Sequence, residues 1–175
     1  MNDFSLWDFQ EAAMPRIEAA IAANKRTLIC SPTGSGKTVM MSWLMKKLHK
    51  ENKRLIAMAP RKELIGQLCE KIDTWGMLQY GLITAESRVN SYAPIQIASV
   101  DTLVSRTVRR KSLVLPLADY VMLDEAHLYV TEQRMQLMDL FPESTKLVGW
   151  TATPGRMDGR PLGAAFDKMV GVETI

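Results

Sequence analysis

The chain has 175 residues, with 22 Lys and Arg against 19 Asp and Glu, so its formal net charge is +3. Its 47% hydrophobic and 23% charged residues are typical of one folded domain and exclude the collagen-like and intrinsically disordered classes. The longest uncharged runs, at 74–85 and 89–100, have 12 residues each, whereas a membrane helix needs roughly 20 apolar residues. We therefore expect no membrane partner.

The first ten residues contain two Asp and no basic residue ahead of an apolar stretch, so they do not resemble a secretory signal. We accordingly expect an intracellular, cytoplasmic protein. Cys30 and Cys69 lie far apart, without a CxxC or His-Cys cluster, and this predicts two buried, reduced thiols. The small positive charge permits nucleic-acid binding without indicating it, because binding depends on clustering of charge on one face.

Apolar residues recur at helical spacing over 6–23 and predict an opening helix. A short apolar run at 27–31 predicts a strand, and residues 37–50 predict the helix that follows it. The same pattern recurs at 54–59 and 61–75. Further strands are predicted at 80–84, 95–99, 120–124 and 147–151, and further helices at 101–108 and 132–140. Continuous apolar strands with intervening helices predict an α/β fold whose parallel sheet is covered on both faces.

The first chemical motif lies between the first strand and the second helix. Residues 31–38 read Ser-Pro-Thr-Gly-Ser-Gly-Lys-Thr, which follows the phosphate-loop pattern GxxxxGK[ST] except that Ser31 stands at the first glycine. Glycines allow the backbone to approach phosphates, and a helix N-terminus attracts them. Lys37 is expected at the β- and γ-phosphates and the Thr38 hydroxyl at Mg²⁺. The predicted ATP-binding residues of this loop are Thr33, Gly34, Ser35, Gly36, Lys37 and Thr38.

A second motif follows the apolar strand at 120–124, which ends in two adjacent carboxylates. Asp124 is expected to bind Mg²⁺, partly through water, and Glu125 to position and deprotonate the water that attacks the γ-phosphate. A solvated acidic pair at a helix start is the alternative. The phosphate loop 87 residues earlier favours the catalytic interpretation, in which Lys37, Asp124 and Glu125 act together.

Together these motifs resemble superfamily 2 helicases and translocases of the DEAD/DEAH type, specifically their first RecA-like domain. Residues 31–38 are similar to motif I, residues 124–127 (Asp-Glu-Ala-His) to motif II and residues 151–154 (Thr-Ala-Thr-Pro) to motif III. The resemblance implies a three-layer α/β/α P-loop NTPase fold with a mostly parallel central sheet, and ATP and Mg²⁺ as cofactors. It also implies residues that couple the ATP site to nucleic acid, namely His127, Thr151 and Thr153.

Two further segments resemble parts of the family that lie along the nucleic-acid backbone. Residues 59–67 are similar to motif Ia and residues 97–103 to the segment after it. The resemblance implies contacts with nucleic-acid phosphates from Arg61, Lys62, Ser99 and Thr102, whose side chains are suitable donors. Solvated charges at a helix start are the alternative for the two cations. A basic cluster is either part of the same track or a solvated helix end, and its residues are Arg106, Arg109, Arg110 and Lys111.

The segment before the first predicted strand resembles the adenine-recognition motif of the family. Residues 6–10 read Leu-Trp-Asp-Phe-Gln, and the resemblance implies that Gln10 reads the purine edge. Trp7 stands near the place where relatives often have an arginine. Stacking on the base and packing in the core remain alternatives for Trp7 and Phe9.

Residues 151–159 are similar to the extended TATPxRxDG form of the DNA-directed branch, which implies DNA as the more favoured nucleic acid. Arg156 and Asp158 would then form either a hinge contact or an ion pair within the exit turn. The expected organisation is an N-terminal helix with the adenine motif (1–26), a RecA-like ATP-binding domain (27–160) and an exit segment toward an absent second RecA-like domain (161–175).

In this family ATP is hydrolysed between two lobes, and the second lobe supplies an arginine finger that contributes roughly three to five orders of magnitude. The chain has no matching arginine motif, so we expect weak or no ATPase from it alone and a second lobe in cis or in trans as partner. The expected function is the ATP-binding lobe of a DNA helicase or translocase. An RNA helicase lobe, a nucleotide-regulated binding module and a kinase-like P-loop ATPase remain alternatives.

Overall fold

Strands and helices alternate along most of the chain in the computed structural model, which describes residues 5–74, 76, 79–87, 90, 92–153 and 162–173. The strands are β1 (Arg26–Cys30), β2 (Leu55–Ala59), β3 (Tyr80–Ile83), β4 (Ile95–Ser99), β5 (Tyr120–Leu123), β6 (Lys146–Thr151) and β7 (Lys168–Gly171). The α-helices are α1 (Asp8–Ala23), α2 (Lys37–Lys50), α3 (Lys62–Thr74), α4 (Val100–Leu103) and α5 (Glu132–Asp139). A π-helix at Val104–Arg109 continues α4, and 3-10 helices lie at Ala126–Tyr129 and Leu162–Ala164.

The seven strands form one sheet in the order β3-β4-β2-β5-β6-β1-β7, and every pairing in it is parallel. All carboxyl ends therefore meet at one edge, where ligands of open parallel sheets bind. In register, Cys30 lies beside Thr151, and Ala59 beside Ser99. The predicted α/β fold with a parallel central sheet is confirmed.

Each face of the sheet is covered by its own group of helices. On one face α1, α2 and α3 contribute fully buried side chains such as Ile17, Met41 and Leu68. On the other face α4, the π-helix and α5 pack around Leu103 and Leu137. Burial of each such side chain stabilises the fold by about 1.5–3 kcal/mol, so both layers hold the sheet. The architecture is the expected three-layer α/β/α sandwich.

One predicted helix has a different form in the structure, and one strand has no counterpart among the predicted elements. The helix predicted at 101–108 is a short α4 that widens into the π-helix at Val104–Arg109. Residues 161–175, expected as an exit segment, contain β7, which pairs with β1 at the edge of the sheet. Apolar patterning does not predict β7, because only Val170 of its four residues is buried.

Cys30, the last residue of β1, and Cys69, in α3, are free thiols, but each is only partly buried rather than fully buried as predicted. Burial raises the pKa of both thiols. Within the described residues, no helix combines the length and the apolar character that crossing a bilayer requires. Arg156 and Asp158 lie outside the described residues.

Candidate nucleotide-binding site

The loop between β1 and α2 has the backbone geometry of a phosphate cradle. Gly34 and Gly36 have φ of +81° and +75°, the left-handed region that glycine enters without a Cβ penalty. The Gly36 carbonyl accepts the first helical hydrogen bonds, from the N–H groups of Val39 at 2.8 Å and Met40 at 3.1 Å. The preceding N–H groups at this helix start have no intrahelical acceptor, and with the helix dipole they suit an anion.

Ser31, which replaces the first glycine of the motif, is fully buried and bonded inside the loop. Its hydroxyl lies 2.5 Å from that of Ser35, which donates to the Pro32 carbonyl at 2.6 Å. The Ser31 N–H donates to the Thr151 carbonyl at 3.0 Å. The backbone bond fixes the loop on β6 and would also form with glycine, whereas the hydroxyl contact with Ser35 is the bond that Ser31 adds within the loop.

Gln10, the predicted adenine reader, contacts the phosphate loop. Its side chain is 1% exposed. Its Nε2 donates to the Ser35 carbonyl at 2.7 Å, while its Oε1 accepts from the Trp7 N–H at 3.0 Å. The amide therefore joins the start of α1 to the loop, and reading a purine would require it to share or exchange these partners. Trp7 is 60% exposed and its ring lies 5.7 Å from that of Phe9.

The two candidate catalytic carboxylates differ in environment. Asp124 is 7% exposed, and burial raises the pKa of its carboxyl, with the charge of Glu125 adding to the effect and those of Lys37 and Lys71 opposing it. A divalent cation bound here would add positive charge and favour the ionised carboxylate. Within the described part of the chain, no group of three or more His, Cys, Asp or Glu side chains is arranged to hold a metal alone. One hydroxyl and one carboxylate are oxygen donors that would suit Mg²⁺ completed by water or phosphate oxygens, and Thr38 and Asp124 are the candidate ligands.

Glu125 is held in the left-handed region, with φ 51° and ψ 51°. Its carboxylate lies 3.4 Å from Nδ1 of His127, and the same nitrogen lies 3.0 Å from the Thr151 hydroxyl. That hydroxyl also donates to the Thr153 carbonyl at 3.1 Å. The structure thus brings Glu125 and the three predicted coupling residues into one chain of contacts.

The candidate nucleic-acid residues share the carboxyl edge of the sheet with the phosphate loop. Ser99 ends β4 and caps α4 by accepting from the Thr102 N–H at 3.4 Å. Arg61 and Lys62 follow the neighbouring strand β2 and are exposed. Lys62 forms an ion pair with Glu86 at 3.0 Å. These side chains follow β4 and β2, which are neighbours in the sheet. The ATP-site strands β5, β6 and β1 continue the sheet directly beyond β2.

The basic cluster is divided between the two edges of the sheet. Arg106 donates to the carbonyls of Thr84 and Ala85, at 3.1 and 3.2 Å, just beyond the carboxyl end of β3. Lys111 instead lines a cavity of about 660 Å³ beside residues that precede β2 and β5. Lys111 therefore lies toward the opposite edge, away from the other candidate nucleic-acid residues.

Gly149 contributes to the site, and sequence reasoning did not identify it. A Cβ at Gly149 would lie 2.8 Å from that of Ala126 and 2.7 Å from the Phe166 ring. Only a glycine therefore leaves room for the segment that follows Asp124 and Glu125 to pack on β6. A glycine inside an otherwise apolar strand is the sequence signal of such close approach.

Comparison with protein families matches residues 3–156 to the family described as the res subunit of type III restriction enzymes. The chain is 28% identical over 155 residues to a protein named probable helicase HelY from Mycobacterium tuberculosis, and the match covers 86% of this chain and 17% of HelY.

Two solved structures share the fold. The Hef helicase domain of Pyrococcus furiosus matches with a TM-score of 0.72 and 19% identity, covering 95% of this chain and 38% of that one. The SWI2/SNF2 ATPase core of Sulfolobus solfataricus, solved in complex with dsDNA, matches with a TM-score of 0.66 and 15% identity over 86% of this chain and 32% of that one. The chain thus spans well under half of each of these proteins.

Proposed function

Because the chain belongs to the type III restriction enzyme res subunit family, within the superfamily 2 helicases, we propose that it is the N-terminal ATP-binding lobe of an ATP-dependent DNA helicase or translocase. The observation that carries the proposal is the meeting of three motifs at one sheet edge. The loop after β1, the carboxylates after β5 and the Thr151 hydroxyl at the end of β6 occupy adjacent strands, and Cys30 and Thr151 are register partners.

The phosphate loop would bind the triphosphate. Backbone N–H groups around Gly34 and Gly36 would surround the phosphates, and Lys37 would place its ammonium at the β- and γ-phosphates. A bound Mg²⁺ would supply positive charge that stabilises the charge developing on the phosphates. The Thr38 hydroxyl and the Asp124 carboxylate would hold the ion, the latter partly through water. Thr33 and Ser35 would complete the loop, and Gln10 would contact the purine.

Glu125 would orient the attacking water and accept its proton. Its left-handed backbone aims the carboxylate toward His127 Nδ1, 3.4 Å away. A movement of this carboxylate would shift His127, which would in turn shift Thr151 and, through the Thr151 hydroxyl, Thr153. Loss of the γ-phosphate would in this way alter the segment that follows β6.

Nucleic acid would bind along the same edge, over β4 and β2. Arg61 and Lys62 would contact phosphates as cations, and Ser99 and Thr102 as hydroxyl donors. The resemblance of residues 151–159 to the DNA-directed branch supports DNA, as does the dsDNA complex of the SWI2/SNF2 core that shares the fold. RNA is the alternative substrate.

A second RecA-like lobe, in cis or in trans, would close over the nucleotide and supply the missing arginine, so this chain alone would hydrolyse ATP weakly or not at all. The proposed organisation is a helix with the adenine motif (1–26), the ATP-binding domain (27–160) and a segment leading toward the second lobe (161–175).

Salt-dependent binding of single-stranded oligonucleotides tests the nucleic-acid part. Each phosphate contact contributes about −0.9 to the slope of log K against log salt on B-DNA, and about −0.7 on single strands. We expect Arg61→Ala and Lys62→Ala each to make the slope shallower by about 0.7, while the control Lys50→Ala, at the exposed far end of α2, leaves it unchanged. Tighter binding of RNA than of DNA would favour the RNA helicase lobe. No nucleic-acid binding, with or without a non-hydrolysable ATP analogue, would favour a nucleotide-regulated module or a kinase-like ATPase.

A further inference from the structure

Arg134, in the first turn of α5, makes three contacts that the proposed mechanism leaves unused. Its Nη1 donates to the Leu128 carbonyl at 2.6 Å, and its Nη2 donates to the Asp101 carboxylate at 2.9 Å. Its guanidinium lies over the ring of Tyr129, 5.7 Å from the ring centroid. The Arg134 side chain is only 18% exposed. One planar group therefore joins two segments that are far apart in the chain.

The first of these segments is tied to the candidate catalytic base. Leu128 belongs to the 3-10 helix Ala126–Tyr129, and its N–H donates to the Glu125 carbonyl at 2.9 Å. Its own carbonyl accepts from Arg134. Leu128 therefore lies between the strained Glu125 and the Arg134 guanidinium, so a displacement of Glu125 moves an acceptor of Arg134.

The second segment carries two of the candidate nucleic-acid residues. Asp101 lies in the first turn of α4, next to Thr102 and two residues after the capping Ser99. Because α4 has only four residues before the π-helix begins, a shift of Asp101 moves both hydroxyl-bearing neighbours with it. Tyr129, fully buried beneath the guanidinium, fixes the plane in which Arg134 reaches both acceptors.

We propose that Arg134 is a positioning residue that couples the ATP site to the nucleic-acid edge, by holding Leu128 and Asp101 with one rigid guanidinium. The inference rests on the proposed function and adds a connection that does not pass through His127 and Thr151. An arginine suits the role because its planar fork serves two acceptors at once, whereas a lysine ammonium is a flexible point charge.

The chain offers a matched control for a merely structural role. Arg26 has a side chain that is 14% exposed and pairs with Asp139, whose side chain is 65% exposed, while Asp101, the partner of Arg134, is also 65% exposed. The two arginines thus have the same type of partner and similar burial. Arg26 begins β1 at the amino edge of the sheet, so its loss should affect stability without affecting communication between the two sites.

Amide hydrogen exchange of the whole chain, with Mg²⁺ and a saturating non-hydrolysable ATP analogue, tests the inference. In the wild type we expect the analogue to slow exchange at 33–38 and to change exchange at 99–103 by about fivefold, the lower end of typical coupling. In Arg134→Gln and Arg134→Lys the effect at 33–38 should persist, while the effect at 99–103 falls below about twofold. Arg26→Gln should behave like the wild type.

An effect at 99–103 that survives in Arg134→Gln overturns the inference, as does equal loss in Arg26→Gln. Analogue binding that changes 33–38 but leaves 99–103 unaltered in the wild type also overturns it, and leaves the proposed function standing. Absence of any nucleotide binding overturns the proposed function and the inference together. If Arg134→Gln does not fold, Asp101→Asn replaces it, because that change weakens only the exposed end of the contact, and the same loss at 99–103 is expected.

Discussion

Glu125 occupies a backbone conformation, φ 51° and ψ 51°, that costs a non-glycine residue about 1–3 kcal/mol. The bond from its N–H to the Asp124 carboxylate at 3.0 Å and the packing of Ala126 against Gly149 hold it there. Strain of this kind persists where the surrounding structure over-determines it. The strained conformation directs the Glu125 carboxylate toward His127. The fold therefore gives up some stability at a residue that the proposed chemistry uses.

Asp124 is a second residue at which the proposed chemistry lowers the stability of the fold, and the direction of its pKa shift shows why. Its pKa is raised chiefly by burial, and a carboxyl with a higher pKa in the folded than in the unfolded chain loses stability as pH rises through that interval. Ionised Asp124 therefore destabilises the fold at neutral pH. We expect Asp124→Asn to raise the free energy of unfolding at pH 7 by about 1 kcal/mol. Urea unfolding should show the gain shrinking at acid pH, where the wild-type carboxyl is protonated. A gain that is the same at both pH values contradicts this assignment.

The two loop glycines separate strain from contact. Both have positive φ, but a Cβ at Gly36 would lie 2.4 Å from Gln10 Nε2, while a Cβ at Gly34 meets nothing within 4 Å. Gly34→Ala should cost about 1–2 kcal/mol of left-handed strain. Gly36→Ala should cost more and displace Gln10 from the Ser35 carbonyl. Denaturant unfolding of both variants checks this, and Gln10→Ala in the Gly36→Ala background should recover part of the difference. Equal costs at the two glycines would argue against the Gln10 contact.

At the scale of elements, the close packing of Ala126 and Phe166 on β6 requires a glycine at position 149. Gly149→Ala would place a methyl group 2.7 Å from the Phe166 ring and 2.8 Å from the Ala126 Cβ, and overpacking of this kind costs about 1–3 kcal/mol. We expect that loss in urea unfolding, together with weaker Mg-ATP binding, since the displaced segment carries Glu125. Gly163→Ala is the matched control, because a Cβ there meets nothing within 4 Å. Unchanged stability in Gly149→Ala would show that the 3-10 helix can move aside without cost.

The elements most readily predicted from sequence are those with strong apolar periodicity. The helix α2 and the strand β4 begin and end where the patterns at 37–50 and 95–99 place them, because buried strands and an amphipathic helix have distinct spacings. The strand β7 has one buried residue and therefore no such pattern. The π-helix that continues α4 packs against α5, and local spacing does not encode that contact.

At the scale of the molecule, one sheet edge carries the phosphate loop, both carboxylates, His127 and the candidate nucleic-acid residues. The sequence points to these side chains as candidates because each belongs to a local motif whose spacing matches its chemistry. It could not predict Arg134, whose acceptor Asp101 is 33 residues away, or the contact between Gln10 and the phosphate loop 25 residues later. Such contacts exist only once the parallel sheet has aligned its strand ends, and they determine how the motifs act on one another.

The central claim, that this edge binds Mg-ATP through the phosphate loop, is tested most directly by calorimetric titration of Mg-ATP into the chain. We expect saturable binding to one site in the wild type. Lys37→Ala should weaken it by about 2 kcal/mol, or roughly thirtyfold in Kd, since a charge contact to phosphate is lost. Lys50→Ala, at the exposed far end of the same helix, should bind like the wild type. No saturable binding, or equal binding by the Lys37→Ala variant, would contradict the account.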